Sequence, residues 1–321
     1  MHRIVKVAVV IPCHNVECHV EEALFSVLAQ IHNDLDVVAV NDGSTDGTGA
    51  VLQRMVAAHP GRFRVITQPN RGACAARNVG LKATDGAYVQ FLDADDVLLP
   101  DKIAGQIELA QLDNAPALIV GGYRNKYPDG SSQEIRPHVE DAWLALVRTR
   151  LGTTTADLWR REDLLRVGGW DEDQASSQDY ELAFRLLQAG GRVAWDDRIT
   201  AEVLKRERGS ISRTNELRNW ERYIELRVAV REHLRTSDLP NSNEIIAECD
   251  QYIFRALRVV GRTRPAHAAE LFAEVIPAGF VPKAGEALSA LYVLLYRWLG
   301  FSGAEAAAAA LDNLRRLFGW R

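Results

Sequence analysis

The sequence predicts an α/β protein, with a mainly parallel sheet between helices, followed by a region made of helices alone. The first observation is a series of nearly continuous Val, Ile and Leu segments that alternate with helical spacing in the first half of the chain. Strands of this kind are buried on both faces, as in parallel sheets covered by helices. The second is a change to helical periodicity near Asn215. We therefore expect two regions, residues 1–214 and residues 215–321.

Local patterns predict each element of the first region. Pro12 is expected to end the first strand, because proline cannot donate a ladder hydrogen bond. Ligands bind beyond the carboxyl ends of the strands in such sheets. The predicted strands are Val7–Ile11, Leu35–Val40, Arg64–Gln68 and Ala87–Leu92, and the predicted helices are Val20–Gln30, Thr48–Ala58 and Ala73–Ala83.

The second region shows helical spacing with breaks near Pro240, Pro265, Pro277–Pro282 and Gly300–Gly303. Its end carries an apolar stripe beside arginines, which could lie on a membrane surface, pack within the region or form a homodimer contact. The stripe comprises Leu311, Leu314, Leu317, Phe318 and Trp320, near Arg315, Arg316 and Arg321.

The composition is that of a soluble globular protein, with 47% hydrophobic and 25% charged residues. A formal charge of −5 provides no basic field, so nucleic acid is not expected as a partner. The four cysteines form no CxxC pair, which fits a reducing, cytoplasmic location and does not favour zinc. The apolar stretch Ala287–Leu295 is about half the length that spans a bilayer.

An acidic segment follows the fourth predicted strand. In Tyr88–Asp96, strand alternation places Asp93 and Asp95 on the same side. Converging carboxylates repel each other unless a cation lies between them, and oxygen ligands of this kind suit Mg²⁺ or Mn²⁺. An acidic turn without a ligand is the alternative for an isolated Asp-x-Asp.

Two further loops follow strands at the same edge. Asn41–Gly47 can form a tight turn with a helix N-cap, and the carboxylate of Asp42 could also accept the N3–H of a uracil ring. Arg71 and Arg77, near the start of the third helix, could face a diphosphate. Solvated or ion-paired arginines are the alternative.

A third acidic position opens a helix that begins near Ser176 and ends at Gly190-Gly191. Asp179 in its first turn could simply interact with the helix dipole, with Ser176 as a capping partner. A carboxylate held rigidly at this position could also serve as a general base.

Taken together, these segments resemble the family 2 glycosyltransferases, inverting enzymes with the GT-A fold of nucleotide-diphospho-sugar transferases. The likeness covers about residues 5–213 and fades in the helical region. The matching segments occur in the order found in the family: Val9–Asn15, Asn41–Asp46, Asn70–Gly72, Ala76–Gly80, Phe91–Asp96, Val167–Glu172 and Gln178–Leu182.

The resemblance implies a role for each matching residue. Asp179 would deprotonate the acceptor hydroxyl, which attacks the anomeric carbon from the face opposite the nucleotide and inverts it. Asp95, with Asp93, would bind Mg²⁺ or Mn²⁺. The nucleotide-sugar would contact Pro12, His14, Asn15, Asp42, Arg71, Arg77, Asp93 and Ala94.

Two departures from the family matter. Gln178 stands where relatives usually have Glu before the base, and Glu207 stands where they often have a His. We hypothesise that Glu207 completes the metal shell and that Arg208 contacts the phosphates. An ordinary charged loop is the alternative.

The expected function is transfer of a single sugar, from a UDP-sugar to a surface glycan or lipid-linked precursor on the cytoplasmic side. The chain shows neither the Gln-x-x-Arg-Trp motif nor the membrane helices of processive polymerases. A sugar nucleotidyltransferase would need a glycine-rich basic loop after the first strand, and Pro12–Val16 is not such a loop. A nucleotide- or glycan-binding subunit that has lost catalysis is the non-enzymatic alternative.

Overall fold

The computed structural model describes residues 5–206, 215–285 and 288–318, with the backbone alone at 312 and 315–318. The chain divides into two compact units, Met1–Thr214 and Asn215–Arg321. Of the helices in the described ranges, none combines the length and the apolar character that a membrane span requires.

The first unit is a sheet with helices, and it contains the strands and helices expected from the sequence. The strands are β1 Val7–Cys13, β2 Leu35–Asp42, β3 Arg64–Gln68, β4 Tyr88–Phe91, β5 Val97–Leu98, β6 Leu118–Lys126, β7 Ser132–Ile135, β8 Leu158–Arg160 and β9 Val193–Leu204. The helices are α1 Val20–Leu28, α2 Thr48–Ala58, α3 Ala73–Ala83, α4 Lys102–Leu112, α5 Ala142–Val147, α6 Arg161–Arg166 and α7 Gln178–Gln188.

The strands form one sheet in the order β3-β2-β1-β4-β8-β6-β9-β5, with β7 added to β6. The first four strands are parallel, as the sequence predicts. Beyond them the sheet is mixed, because β8 runs antiparallel to both β4 and β6, whereas β6 and β9 are parallel. The parallel half brings the carboxyl ends of β1, β2 and β4 to a single edge.

The first strand does not end at Pro12, contrary to the expectation from the sequence. It continues through Cys13, and Pro12 pairs with Val40 of β2. On its other side, β1 pairs with β4 only as far as Val10. The missing N–H of Pro12 therefore removes no ladder bond to β4, and proline is accepted within the strand.

Small residues let α3 pack tightly on the sheet. Gly80 lies against Val10 of β1, and a Cβ at this position would overlap the valine side chain. Cys74, Ala75 and Ala76 on the same helix are also buried. This close approach places the first turn of α3 beside the carboxyl ends of β1 and β4, where the polar residues of the sheet edge lie.

The second unit contains helices α8 Glu216–Arg235, α9 Ser242–Thr263, α10 Pro265–Val275 and α11 Ala290–Phe318. Aromatic rings surround Phe254, with Phe280 at 5.3 Å and Phe301 at 5.8 Å between ring centroids. α11 is interrupted at Gly300, which has a φ of 67°. The expected break near this glycine is thus a kink.

Candidate active site

The acidic segment after β4 lies at the carboxyl edge of the sheet, and each of its first two carboxylates contacts an arginine. Asp93 Oδ1 accepts a hydrogen bond from Arg77 over 2.7 Å. Asp95 Oδ2 lies 2.6 Å from the guanidinium of Arg206, just after β9. The structure thus places two cations beside the pair of carboxylates that the sequence predicts to bind a metal ion.

Arg77 is buried and connects the acidic segment to α7. One terminal nitrogen donates to Asp93, and the other donates to Gln178 Oε1 over 2.8 Å. The guanidinium also lies 4.6 Å from the ring centroid of Trp170, a cation–π distance. Burial opposes the charge of Arg77, but Asp93 outweighs it and raises the pKa of the guanidinium. Arg77 therefore stays charged and fixes the relative positions of Asp93 and Gln178.

The amide of Gln178 explains the departure from the family pattern. Its Oε1 accepts from Arg77, while its Nε2 donates to Gln174 O over 2.9 Å. A glutamate could accept the first bond but could not donate the second, because an ionised carboxylate carries no hydrogen. The glutamine therefore fits both partners.

Asp179 lies in the first turn of α7 and accepts from the N–H of Tyr180 over 3.0 Å. Burial raises the pKa of its carboxyl, while that N–H and Arg77 oppose the rise. Ser177, at the helix start, has a φ of 55°, which is strained for a residue with a side chain. Such strain, next to a half-buried carboxylate, is common at functional sites.

The Ser176 cap expected from the sequence is not formed. Its buried hydroxyl oxygen makes no hydrogen bond with any of the described residues. The residue at the N-cap position is Ser177, and its side chain makes no capping bond there. Ser176 instead lines the cavity in front of Asp179.

Two adjoining cavities meet at the acidic segment. The first has a volume of about 400 Å³ and contains Asp179 and Gln178, with Thr153, Thr154 and Ser176 on its wall. The second, of about 350 Å³, lies over the ends of β1 and β2. Both are lined by Arg77, Asp93, Asp95 and Arg206. A third cavity, of about 670 Å³, lies near Val5 and Tyr88 at the amino ends of the strands, away from these carboxylates.

Asp42 faces the 350 Å³ cavity and already accepts several hydrogen bonds. Its Oδ1 accepts from Gln68 Nε2 over 2.7 Å and from the N–H of Arg71 over 2.9 Å. Its Oδ2 accepts from the N–H of Gly72 over 2.8 Å. The carboxylate therefore fixes the turn that leads into α3, where Gly72 has a φ of 91°.

The other residues expected to bind the nucleotide-sugar divide into two groups. Pro12, His14 and Ala94 line the 350 Å³ cavity. Nδ1 of His14 lies 2.8 Å from the carbonyl oxygen of Asp42, which can only accept, so this nitrogen carries the proton. Asn15 and Arg71 are not among the residues that line either of the two cavities.

Those two residues have structural partners instead. Asn15 has a φ of 52°, and its Oδ1 accepts from the N–H of Thr45 over 2.8 Å. The guanidinium of Arg71 lies 2.6 Å from Glu172 and is 57% exposed. The ion-paired alternative for Arg71 thus describes its position in the structure.

Asp96 has a structural role that the sequence did not indicate. It is buried, and accepts from the hydroxyl of Thr155 over 2.6 Å and from the N–H of Leu204 over 2.9 Å. Burial, with Asp93 and Asp95 nearby, raises the pKa of its carboxyl. Asp96 joins the acidic segment to the end of β9, a contact between distant parts of the sequence.

A second buried polar residue, Lys102, lies behind the acidic segment, and the sequence did not predict its position there. Lys102 on α4 is fully enclosed and donates to Gln90 Oε1 and, over 3.0 Å, to Asp157 O. Burial lowers the pKa of its ammonium to about 7, against the opposing effect of Asp157. The sequence feature that could have indicated this buried lysine is its partner Gln90, a glutamine within the apolar strand β4.

The site's chemistry fits a divalent cation. Among the described residues, no three His, Cys, Asp or Glu side chains are grouped as metal ligands. Asp93 and Asp95 nevertheless present carboxylate oxygens, and Mg²⁺ or Mn²⁺ commonly uses one or two carboxylates with substrate phosphates. The two arginines on these carboxylates show that the position attracts cations. Glu207 and Arg208 lie outside the described residues.

The carboxyl edge of the parallel strands thus combines an Asp-x-Asp segment, two adjoining cavities and a half-buried carboxylate, Asp179. Residues 8–166 match the model of the family described as glycosyl transferase family 2. The chain belongs to this family.

Curated relatives share the first unit. An uncharacterized glycosyltransferase of Rickettsia conorii is 30% identical over 191 residues, which are 57% of this chain and 31% of that protein. The chondroitin synthase of Pasteurella multocida is 30% identical over 195 residues, 59% of this chain and 20% of that protein. The matched part of the chain thus spans less than a third of the length of these relatives.

Solved structures share the fold. S. aureus TarS 1-349, in complex with UDP-GlcNAc, has a TM-score of 0.72 at 18% identity. The alignment covers 96% of this chain and 92% of the TarS chain. The mannosyltransferase PcManGT of Pyrobaculum calidifontis, in complex with GDP-Man and Mn²⁺, has a TM-score of 0.55 at 21% identity. The alignment covers 98% of this chain and 88% of the PcManGT chain. The GT-A fold expected from the sequence is confirmed.

Proposed function

We propose that this chain is an inverting, metal-dependent glycosyltransferase that moves one sugar from a UDP-sugar to a hydroxyl of a glycan or lipid-linked acceptor. One observation carries the proposal. The two cavities share Arg77, Asp93 and Asp95, while Asp42 lines only one of them and Asp179 only the other. In this proposal the nucleotide and the general base each occupy one of the two cavities and face the acidic residues that both cavities share.

The nucleobase is assigned to the 350 Å³ cavity, beside Asp42. A carboxylate offers about four acceptor positions, and Asp42 uses three of them for Gln68, Arg71 and Gly72. One position remains for the N3–H of a uracil. TarS in complex with UDP-GlcNAc supports a UDP-sugar, whereas PcManGT in complex with GDP-Man keeps a GDP-sugar as the alternative.

The acceptor is assigned to the 400 Å³ cavity, where Asp179 would take the proton from the attacking hydroxyl. Burial raises the pKa of this carboxyl and makes it a stronger base, while Arg77 limits the rise and keeps the ionised form accessible. The hydroxyl then attacks from the side opposite the nucleotide, so the anomeric centre is inverted.

Mg²⁺ or Mn²⁺ would be held by Asp95 and Asp93, the carboxylates shared by both cavities. When bound, the ion supplies Lewis-acid stabilisation of the charge on the departing diphosphate. PcManGT, solved in complex with GDP-Man and Mn²⁺, supports this assignment. The remaining contribution of the chain is to hold the two carboxylates and the base in fixed positions through Arg77.

The test is the thermal stability of the full chain with UDP-, dTDP- and GDP-sugars, each with and without Mn²⁺. A ligand at about a hundred times its dissociation constant adds roughly 2.7 kcal/mol to the free energy of unfolding. We expect a Mn²⁺-dependent shift with one UDP-sugar, which is lost in Asp95→Ala. Asp85→Ala is the control, since this aspartate precedes β4 and is exposed. No shift with any sugar nucleotide would contradict the proposal.

We propose in addition that the helical region contacts a membrane surface, which would bring a lipid-linked acceptor to the cytoplasmic side. Leu311 and Leu314 of the stripe predicted from the sequence are 39% and 48% exposed. Further exposed residues precede Gly300 in α11, including Trp298 at 81% and Leu294 at 52%. Tryptophan beside leucines and an arginine is typical of helices at a lipid interface.

Sedimentation with vesicles tests this second proposal and separates it from a homodimer. We expect the full chain to sediment with anionic vesicles and Trp298→Ser to sediment less. A matched control is Trp220→Phe, which conserves an aromatic ring on α8. Absence of vesicle binding together with a dimeric mass in solution would assign the stripe to a second copy of the chain.

A further inference from the structure

Arg206 occupies the position next to Asp95 where the proposed function requires a metal ion. Its guanidinium lies 2.6 Å from Oδ2 of that carboxylate, and the two side chains are 28% and 16% exposed. Arg206 also lines both cavities that meet at the acidic segment. A cation supplied by the chain itself is thus already present in the centre of the site.

The fold holds the backbone of Arg206 beside the carboxylates. The N–H of Leu204 donates to Asp96 Oδ1 over 2.9 Å, and the N–H of Lys205 donates to Lys126 O over 2.8 Å. β5 adds a further connection, because Val97 pairs with Glu202 of β9. The end of β9, just before Arg206, is therefore joined to the Asp96 side chain by a hydrogen bond and to β5, directly after the acidic segment, by strand pairing.

The two arginines of the site differ in how they are held. Arg77 is 6% exposed and lies between Asp93, Gln178 and the ring of Trp170. Arg206 is more exposed and lies just after β9, with a long side chain that can change rotamer. Among the described residues, the ion pair of Arg206 is with Asp95 alone, so of the two arginines it is the one that can leave its carboxylate more readily.

We propose that Arg206 and the divalent cation compete for Asp95, and that Arg206 transfers to the donor diphosphate when the metal binds. This inference rests on the proposed function. A guanidinium and a divalent cation on the same carboxylate repel each other, so binding of the ion displaces Arg206. Phosphate oxygens offer the displaced guanidinium a new charge-assisted partner. The metal and the nucleotide therefore bind cooperatively, and Arg206 is the positioning residue that couples them.

The test is the affinity for Mn²⁺ without turnover, measured from the electron paramagnetic resonance signal of free Mn²⁺, in the absence and presence of UDP. Without UDP, we expect Arg206→Gln to bind Mn²⁺ at least about fivefold more tightly than the native chain, a typical coupling between sites. UDP should tighten Mn²⁺ binding in the native chain more than in Arg206→Gln.

Two controls separate this inference from the proposed function. Arg192→Gln breaks an exposed arginine–aspartate pair with Asp113 and should leave Mn²⁺ affinity unchanged. Asp95→Asn should abolish Mn²⁺ binding.

If Asp95→Asn weakens binding but Arg206→Gln binds Mn²⁺ like the native chain, the competition is contradicted while the metal site stands. If Asp95→Asn has no effect, the proposed metal site itself is wrong. Unfolding temperatures of all variants show whether each is folded.

Discussion

Arg77 donates to Asp93 over 2.7 Å from a position that is almost fully enclosed by protein. Its other terminal nitrogen holds Gln178, the residue directly before Asp179. The same guanidinium therefore sets the distance between the acidic segment and the helix that carries the proposed base. An arginine expected to contact a diphosphate is thus a structural link within the site.

The first prediction concerns the stability that this link provides. Arg77→Met keeps most of the side-chain volume but leaves Asp93 and Gln178 without their shared donor. Breaking a buried ion pair typically destabilises by 3–5 kcal/mol, and because Asp93 is 35% exposed we expect about 2–3 kcal/mol. Urea denaturation measures the loss. Arg71→Met is the control, because its exposed pair with Glu172 should contribute about 0–1 kcal/mol. Equal losses in both variants would contradict the assigned role of Arg77.

The second prediction concerns Gln178. Gln178→Glu removes the bond to Gln174 O and adds a negative charge beside Arg77 and Asp179. A like charge raises the pKa of a carboxyl, so the base of the variant needs a higher pH to ionise. The acidic limb of the pH–rate profile should move to higher pH, whereas Gln188→Glu, at the far end of α7, should leave it in place. An unmoved acidic limb would show that Gln178 does not influence the base.

The third prediction concerns stability against pH. Burial lowers the pKa of Lys102 from 10.5 to about 7, so between these values the unfolded chain binds the proton and the folded chain does not. Folding then releases a proton, and stability rises with pH across that window. The stability that depends on a neutral Lys102 is fully present above the unfolded pKa of 10.5, and it is lost as the pH falls towards 7.

Comparison with Lys102→Met isolates this effect from other titrating groups. The difference in the free energy of unfolding, native chain minus variant, should increase between about pH 7 and pH 10.5. Denaturant titrations at several pH values measure it, with Lys82→Met as an exposed helical control. A difference that does not change with pH would mean that Lys102 has an ordinary pKa in the folded chain.

The sequence predicted those parts of the fold that local patterns determine. Continuous apolar segments such as Leu35–Val40 identified the parallel half, and the small residues of Ala73–Ala83 indicated a helix packed closely on the sheet. The short strand Val97–Leu98 was not predicted, because two residues carry no periodicity. It is a strand only through its pairing with β9. Pro12 was placed outside its strand for a similar reason, since the end of the β4 pairing is a tertiary feature.

Contacts between distant parts of the chain also limit what the sequence predicts about the site. Asp93, Asp95 and Asp179 stand in recognisable segments, and the structure brings them to the walls of adjoining cavities. The contact of Arg206 with Asp95 joins residues more than a hundred positions apart, and no local pattern encodes it. Arg71 shows the reverse case, because its position in a motif suggested a phosphate contact, whereas its guanidinium pairs with Glu172.

The final prediction tests the general base. Asp179→Asn keeps the shape of the residue but cannot accept a proton, and loss of general-base catalysis typically lowers a rate by 10²–10⁴-fold, so we expect at least about a hundredfold. The measurement is release of UDP from the stabilising UDP-sugar with Mn²⁺, using water as the acceptor. Asp173→Asn, an exposed aspartate just before α7, is the matched control. We predict that Asp179→Asn binds the UDP-sugar like the native chain but releases UDP at least about a hundredfold more slowly. Release at the native rate by a folded Asp179→Asn that binds the donor would contradict the assignment of Asp179 as the base.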